Sequence, residues 1–228
     1  MDRIKYPKFV GGFDKHWIWK DEKGNSMYSL SCDYLQKIMY CIADLNDEIR
    51  NLAELSMKDV VYIIVLIDWL SDAVYRIKKL LPQKVNKKIA IEDDADTVKS
   101  GKYFDAVRSF IVAHPLNTDR HEAYGLVGDL ICADVRSQLT GFERAFGNSL
   151  EWLYLGVDGL KKSTRETHSD FFLLVYNKKD DGGKFHKYIH MRLDDLFTVV
   201  DFRIKKLEVL DKRLSKLKKK DIETEDWK

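Results

Sequence analysis

Cysteine pairs and long apolar runs are both missing from this chain. Its three cysteines, Cys32, Cys41 and Cys132, form no C-x-x-C pair, which argues against a disulfide framework and against a zinc knuckle. We therefore expect reduced, buried cysteines in a cytoplasmic protein. The longest apolar run, residues 60–67, is far shorter than the ~20 residues that span a bilayer. Residues 1–7 carry no apolar signal-peptide core, so we expect neither secretion nor a membrane interaction.

A charge excess of one sign is missing too. The 39 lysines and arginines nearly balance 37 aspartates and glutamates, which leaves a formal net charge of +2. The overall charge therefore gives no argument for binding to a nucleic acid or to an anionic membrane. The chain also lacks a glycine-rich phosphate loop, a G-x-G-x-x-G fingerprint and a G-x-S-x-G elbow. Nucleotide hydrolases, Rossmann enzymes and serine hydrolases are therefore unsupported.

What the sequence does have is apolar residues spaced three and four apart, the pattern of a helix with one buried face. This spacing predicts helices over residues 33–55, 57–81, 96–113 and 193–220. Ser31 is the expected N-cap of the first helix. The second is apolar nearly all round in its first half, which is typical of the central helix of a bundle. Its valines and isoleucines leave a buried strand open as an alternative over residues 60–67.

A pattern typical of strands follows later in the chain. Residues 171–176 and 184–190 flank a turn that contains glycine, which predicts a β-hairpin. Polar and apolar residues alternate in the second arm, so its face with His186 and His190 is expected to be in water. These two histidines would lie about 13 Å apart along one strand, too far apart to share a metal ion.

These patterns together predict a mainly α fold, a helical bundle with a small β-hairpin and a long C-terminal helix. Residues 83–96 are expected to be a polar connection and residues 120–138 to be helical or irregular, which leaves no sheet larger than the hairpin. Residues 1–140 would form the bundle. The hairpin and final helix, residues 141–228, would pack on it within one structural domain. The chain is long enough to bury roughly 70% of its unfolded surface.

Residues 108–115 place an arginine and a histidine at the end of an apolar helix. The planar, permanently charged guanidinium of Arg108 suits phosphate oxygens, while His114 can exchange a proton near neutral pH. Because Pro115 disfavours helical geometry for the residue before it, we expect His114 at the helix C-terminus, where the macrodipole favours a protonated imidazole. A surface ion pair for Arg108 and a helix cap for His114 would explain both residues without any substrate.

An arginine followed, after five intervening residues, by a histidine at the end of the third helix of a small bundle resembles the HEPN superfamily (higher eukaryotes and prokaryotes nucleotide-binding). The resemblance covers about residues 31–136. In active members, which include toxins, abortive-infection proteins and the RNA-cleaving modules of type VI CRISPR effectors, this motif is a metal-independent ribonuclease site. The resemblance implies that Arg108 and His114 are catalytic, that no metal or cofactor is needed, and that a homodimer shares the site.

The reaction that this resemblance implies is RNA cleavage by attack of the ribose 2′-OH on its own phosphate. His114 would exchange the proton and Arg108 would stabilise the charge on the phosphoryl oxygens. Polar residues next to the motif are assigned to binding: Ser109, Asn117, Asp119, Arg120 and His121. The last four have an alternative interpretation as an ordinary exposed turn and helix cap.

Two functions are therefore open from the sequence. The first is a HEPN-like, metal-independent endoribonuclease of a bacterial toxin or phage-defence type, with RNA as substrate and an antitoxin or defence protein as partner. The second is a non-catalytic helical module that binds RNA, a nucleotide or a protein partner. In the first, Asp68 or Asp72 would orient Arg108. An i, i+4 ion pair between Asp72 and Arg76 is the alternative.

Overall fold

The computed structural model describes residues 3–21, 23–90, 92–113, 118–121, 126–128, 130–135, 150–162, 169–176 and 186–223. Two residues assigned to the site, His114 and Asn117, lie outside the described residues, and so does the expected glycine turn of the hairpin. The described part of the chain is mostly helical, which confirms the mainly α expectation. None of the helices in it is both long enough and apolar enough to cross a bilayer.

The first two predicted helices are present, the first of them shifted by five residues toward the N-terminus. Helix α1 is Tyr28–Arg50 and helix α2 is Met57–Leu80, so the strand alternative for residues 60–67 is wrong. Ser31 is not the N-cap of α1, because it lies inside the helix and its hydroxyl donates to the carbonyl of Tyr28 at 2.7 Å, a common use of serine within helices.

The start of α2 is capped by hydrogen bonds between Ser56 and Asp59. The side chain of Asp59 accepts hydrogen bonds from the backbone N–H and the hydroxyl of Ser56, both at 2.8 Å. These bonds satisfy donors that a helix start leaves without a partner.

A short helix replaces part of the expected polar connection. Helix α3, Gln83–Ile89, follows Pro82 and buries Val85 and Ile89, which are four residues apart and therefore on one face. The predicted third helix is thus the fourth. Helix α4 is Ala95–Arg108, and the chain continues directly into a π-helical turn, Ser109–Ala113. The two together cover the whole predicted range, residues 96–113.

The expected hairpin is part of a larger sheet. Strands β6, Phe171–Tyr176, and β7, His186–Met191, pair antiparallel, which confirms the hairpin. They belong to a five-stranded sheet of order β3-β6-β7-β4-β5 in which only β4 and β7, among these neighbours, are parallel. Its other strands are β3, Leu130–Asp134, β4, Leu150–Gly156, and β5, Gly159–Lys162.

The expectation of no sheet beyond the hairpin is therefore wrong. The helical alternative for residues 120–138 is wrong too over the part of this range that the structure describes, residues 120–121, 126–128 and 130–135. Strands β1, Thr118–His121, and β2, Leu126–Gly128, form a second, two-stranded sheet. Three described glycines lie at strand ends: Gly128, Gly156 and Gly159. Gly156 and Gly159 pair across the tight β4–β5 turn, where Gly159 has a positive φ of 93° that side chains disfavour.

The final helix is shorter than predicted. Helix α5 is Leu193–Lys216 and a single-turn helix α6, Lys220–Glu223, follows it. The ammonium of Lys15 donates to the carbonyls of Leu214, Ser215 and Leu217 at 2.6–3.1 Å. A positive charge is favourable at a helix C-terminus, where the last carbonyls have no partner within the helix. The Lys15 ammonium therefore caps the end of α5.

The chain divides into two compact units. The first comprises residues 1–50, 66–94 and 200–228, and the second comprises residues 51–65 and 95–199. In the first unit the N-terminal segment is tied to the second half of α5 by the fully buried Asp211, which accepts from the backbone N–H groups of Val10 and Phe13. In the second unit one face of the five-stranded sheet is buried and apolar, with Leu155, Phe171, Leu173, Ile189 and Met191.

The cysteines only partly follow the expectation. None of the three forms a disulfide, and Cys41 is buried, but Cys32 is half-buried and Cys132 is exposed. Cys132 lies on β3, which is an edge strand of this sheet among the strands that the structure describes.

Candidate functional site

The predicted arginine lies where the helix changes its winding. Arg108 is the last residue of α4 and is partly exposed. The π-helical turn that follows buries Phe110 and Ile111 at its start and exposes Val112 and Ala113 at its end. Such turns are frequent at functional sites. The backbone therefore reaches the surface immediately before the position of the predicted catalytic histidine.

The residues assigned to binding have different placements. Ser109 is only 8% exposed, and its hydroxyl has no hydrogen-bond partner within the described residues. Asp119, Arg120 and His121 belong to strand β1, which pairs with β2. The alternative interpretation of these three as a turn and helix cap is therefore wrong.

Asp72 forms the i, i+4 ion pair that the sequence suggested. Its carboxylate accepts from the guanidinium of Arg76 at 2.6 Å, and both side chains are about half exposed. The interpretation of Asp72 and Arg76 as an i, i+4 ion pair is confirmed.

A cluster that the sequence did not reveal lies on the second face of the sheet. Register pairs place Phe172, His190 and Tyr154 side by side on β6, β7 and β4, and residues paired across strands share a face. The Tyr154 and His190 rings are 4.9 Å apart. Tyr188 contacts Phe172 and Trp152, with ring centroids 4.6 and 3.9 Å apart. We call these five residues the aromatic face.

A hydrogen-bonded pair lies at the edge of the aromatic face. The hydroxyl of Tyr154 donates to the carboxylate of Asp195, in the first turn of α5. Burial, then the hydrogen bond to Asp195 and its charge, raise the pKa of Tyr154 well above its ordinary value. Burial also raises the pKa of Asp195, opposed by the bonds from Tyr154 and from the backbone of Val157. The guanidinium carbon of Arg192 lies 5.3 Å from the centre of the Tyr154 ring.

Gly156 leaves the space in which the Tyr154 ring lies. A Cβ atom at this position would be 2.7 Å from the Tyr154 hydroxyl and from one of its ring carbons, closer than real side chains approach. The two residues are two apart on strand β4 and therefore face the same side of the sheet. A glycine is thus required for Tyr154 to reach Asp195.

Two buried side chains beside this pair have polar atoms without partners. His190 is 3% exposed, and neither of its ring nitrogens has a hydrogen-bond partner within the described residues. Burial and the charge of Arg192 lower the pKa of His190, so the imidazole is neutral. Tyr103 of α4 is 1% exposed and its hydroxyl is likewise without a partner there. Burial, followed by the charges of Asp195 and Tyr154, raises the pKa of Tyr103.

We call Tyr103, Tyr154, His190, Arg192 and Asp195 the Tyr154 cluster. All five belong to the second compact unit. The expectation that His190 lies on a wet face is wrong, because β7 is a central strand whose neighbours β6 and β4 place rings around it. The alternation of Trp152 and Tyr154 with apolar residues in β4 is a period-two signal that could have identified this strand.

Comparison of the chain with protein-family models, with curated proteins and with solved structures finds no match. The HEPN interpretation therefore depends on the spacing of Arg108 and His114. Within the residues that the structure describes, no three histidine, cysteine, aspartate or glutamate side chains are grouped as they would be around a metal ion.

Proposed function

We propose that this chain is a HEPN-like, metal-independent endoribonuclease with Arg108 and His114 as its catalytic pair. The observation that carries the proposal is the position of Arg108. It ends α4 directly before a π-helical turn whose last residues, Val112 and Ala113, are exposed. His114 follows that exposed end in the sequence. RNA has to reach a catalytic pair, and the exposure of Val112 and Ala113 at this end of the helix supports such access.

The two side chains suit the two demands of RNA cleavage. The ribose 2′-oxygen forms a bond to the adjacent phosphorus while the bond from phosphorus to the 5′-oxygen breaks. His114 accepts the proton of the 2′-OH or delivers one to the leaving 5′-oxygen. Arg108 is always charged, and its fork matches two phosphoryl oxygens, on which negative charge increases in the transition state.

We further propose that the active form is a homodimer, and that an antitoxin or a defence partner controls it in the cell. The homodimer follows from the HEPN resemblance, in which two copies share one site. A two-fold axis next to the helix end would bring the arginine of one copy beside the histidine of the other.

The test is cleavage of a mixed single-stranded RNA in excess EDTA. Wild type should cleave it, and His114→Ala should lower the rate by about 10²- to 10⁴-fold, the usual contribution of a general acid or base. Arg108→Ala should cost about 10²- to 10³-fold, as for other lost charge-stabilising donors.

The matched control is His16→Ala. His16 is an exposed histidine stacked on Tyr28 in the first compact unit, and its loss should leave cleavage unchanged. Cleavage that is equal in wild type and His114→Ala would show a contaminating nuclease and refute the proposal. Absence of cleavage by the wild-type dimer would refute it as well.

A non-catalytic module that binds RNA or a nucleotide is the second candidate. The observation that favours it is the Tyr154 cluster, where His190 and Tyr103 have buried polar atoms without partners. The pKa of His190 is lowered and those of Tyr103 and Tyr154 are raised, so these side chains are neutral and suit recognition better than proton transfer.

A further inference from the structure

The Tyr154 cluster contains several buried polar atoms that lack hydrogen-bond partners in the described part of the chain. Both ring nitrogens of His190 and the hydroxyl of Tyr103 are buried without hydrogen-bond partners in the described part of the chain. Buried polar groups in proteins nearly always have partners, and each exception needs a cause, such as a bound water, an ion or a functional role. Two such side chains around a single hydrogen-bonded pair indicate a site rather than an isolated defect.

The members of the cluster differ in their burial. His190 and Tyr103 are almost completely buried, whereas Tyr154, Arg192 and Asp195 are each half-buried. The atoms that lack partners therefore belong to the most buried members of the cluster.

The atoms without partners are uncharged. His190 is neutral and offers one N–H donor and one nitrogen acceptor, and the hydroxyl of Tyr103 can both donate and accept. The charged members are already engaged, because Asp195 accepts from Tyr154 and Arg192 lies over the Tyr154 ring. The atoms of His190 and Tyr103 that lack partners are therefore suited to a neutral ligand and not to an anion or a cation.

The surroundings of His190 are flat and aromatic. The His190 ring is 4.9 Å from that of Tyr154, and its register partner Phe172 contacts Tyr188. Planar rings with a donor and an acceptor side by side on one edge are the ligands that such surroundings favour, as when proteins stack an unpaired base on an aromatic ring and bond to its edge.

We propose that the Tyr154 cluster binds a neutral, planar heterocycle of the nucleobase type, with its polar edge on His190 and Tyr103. This site consists of residues other than Arg108 and His114. It does not rest on the proposed cleavage, because nucleosides would bind to it even if the chain cleaves no RNA.

The test is a titration of the full chain, labelled with ¹⁵N in its histidines, with adenosine, guanosine, cytidine and uridine. Ribose and inorganic phosphate serve as ligand controls. At least one nucleoside should shift the two ring nitrogens of His190, whose signals are identified by their loss in His190→Phe. Ribose and phosphate should shift neither nitrogen.

Tyr103→Phe removes a single oxygen and is expected to fold normally. It should weaken nucleoside binding about 5- to 10-fold, the effect of one lost hydrogen bond. Tyr75→Phe is the matched control, since Tyr75 is an exposed tyrosine of α2 in the first compact unit and its change should leave binding unaltered.

Three results would overturn the proposal. In the first, no nucleoside shifts the His190 nitrogens up to its solubility limit. In the second, binding is equally strong in wild type and Tyr103→Phe. In the third, phosphate alone produces the same shifts, which would make the cluster an anion site. Nucleoside binding without RNA cleavage would support this site and refute only the proposed ribonuclease.

Discussion

The carboxylate of Asp211 accepts a hydrogen bond from the backbone N–H of Phe13 at 2.8 Å, across 198 positions of the sequence. Its second oxygen accepts from the N–H of Val10. Gly12 lies so close that a Cβ atom there would be 1.9 Å from the Asp211 carbonyl oxygen. One buried side chain of α5 thus fixes the path of the N-terminal segment.

Asp211→Ala should lower the free energy of unfolding by about 2 to 4 kcal/mol, because two backbone N–H groups lose their acceptor and at least one of them is buried. Urea unfolding followed by circular dichroism measures this. Asp201→Ala is the matched control. Asp201 lies on the same helix as Asp211 and forms a partly exposed ion pair with Arg3. Such pairs contribute under about 1 kcal/mol to stability. Equal losses in the two variants would contradict the role of Asp211.

Gly156→Ala should displace the Tyr154 ring and break its hydrogen bond to Asp195. The methyl group would lie 2.7 Å from the Tyr154 hydroxyl, so the ring must move. We expect a loss of about 1 to 2 kcal/mol in the free energy of unfolding. A double-mutant cycle with Tyr154→Ser tests the cause, because the alanine should cost much less once the ring is absent. Additive losses would show that Gly156 acts through something else.

The stability of the fold should fall as the pH drops below about 6.5. The pKa of His190 is lowered from its ordinary 6.5 by burial and by Arg192. The unfolded chain therefore takes up a proton at a pH where the folded chain does not. The stability that the neutral imidazole supports is complete above pH 6.5 and decreases below it, by at most about 1.4 kcal/mol per pH unit. Urea unfolding at a series of pH values gives the slope.

His190→Phe should flatten this part of the pH profile. Asp195 acts in the opposite sense, because its raised pKa favours the protonated carboxyl in the folded state and so adds stability at low pH. The difference between wild type and His190→Phe isolates the histidine. A slope that is identical in the two proteins would show that His190 does not titrate as expected.

The helices could be predicted because their information is local. Apolar spacing within α2 and α5 gives their extents to within a few residues, apart from the end of α5, where Lys15 bonds to the last carbonyls. That contact joins positions about 200 apart. No pattern within the helix indicates it.

The sheet and the Tyr154 cluster depend on distant parts of the chain. Strand β4 is parallel to β7, which follows it with β5 and β6 between them, so no tight turn in the sequence marks the pair. The cluster takes Tyr103 from α4, Tyr154 from β4 and Asp195 from α5. Each of these residues is ordinary in its own segment, and the burial of His190 follows only from the strands on either side of it.

The bond between Phe13 and Asp211 also has a consequence for how the chain must be made and divided. The N-terminal segment is synthesised first, but its hydrogen-bond acceptors, Asp211 and the end of α5, are synthesised about 200 residues later. During translation this segment therefore lacks its hydrogen-bond partners until the end of α5 has been synthesised. Contacts between residues so far apart in the sequence also form slowly. A fragment of residues 1–140, the bundle suggested by the sequence, would lack those partners permanently, so expression trials should keep both ends of the chain together.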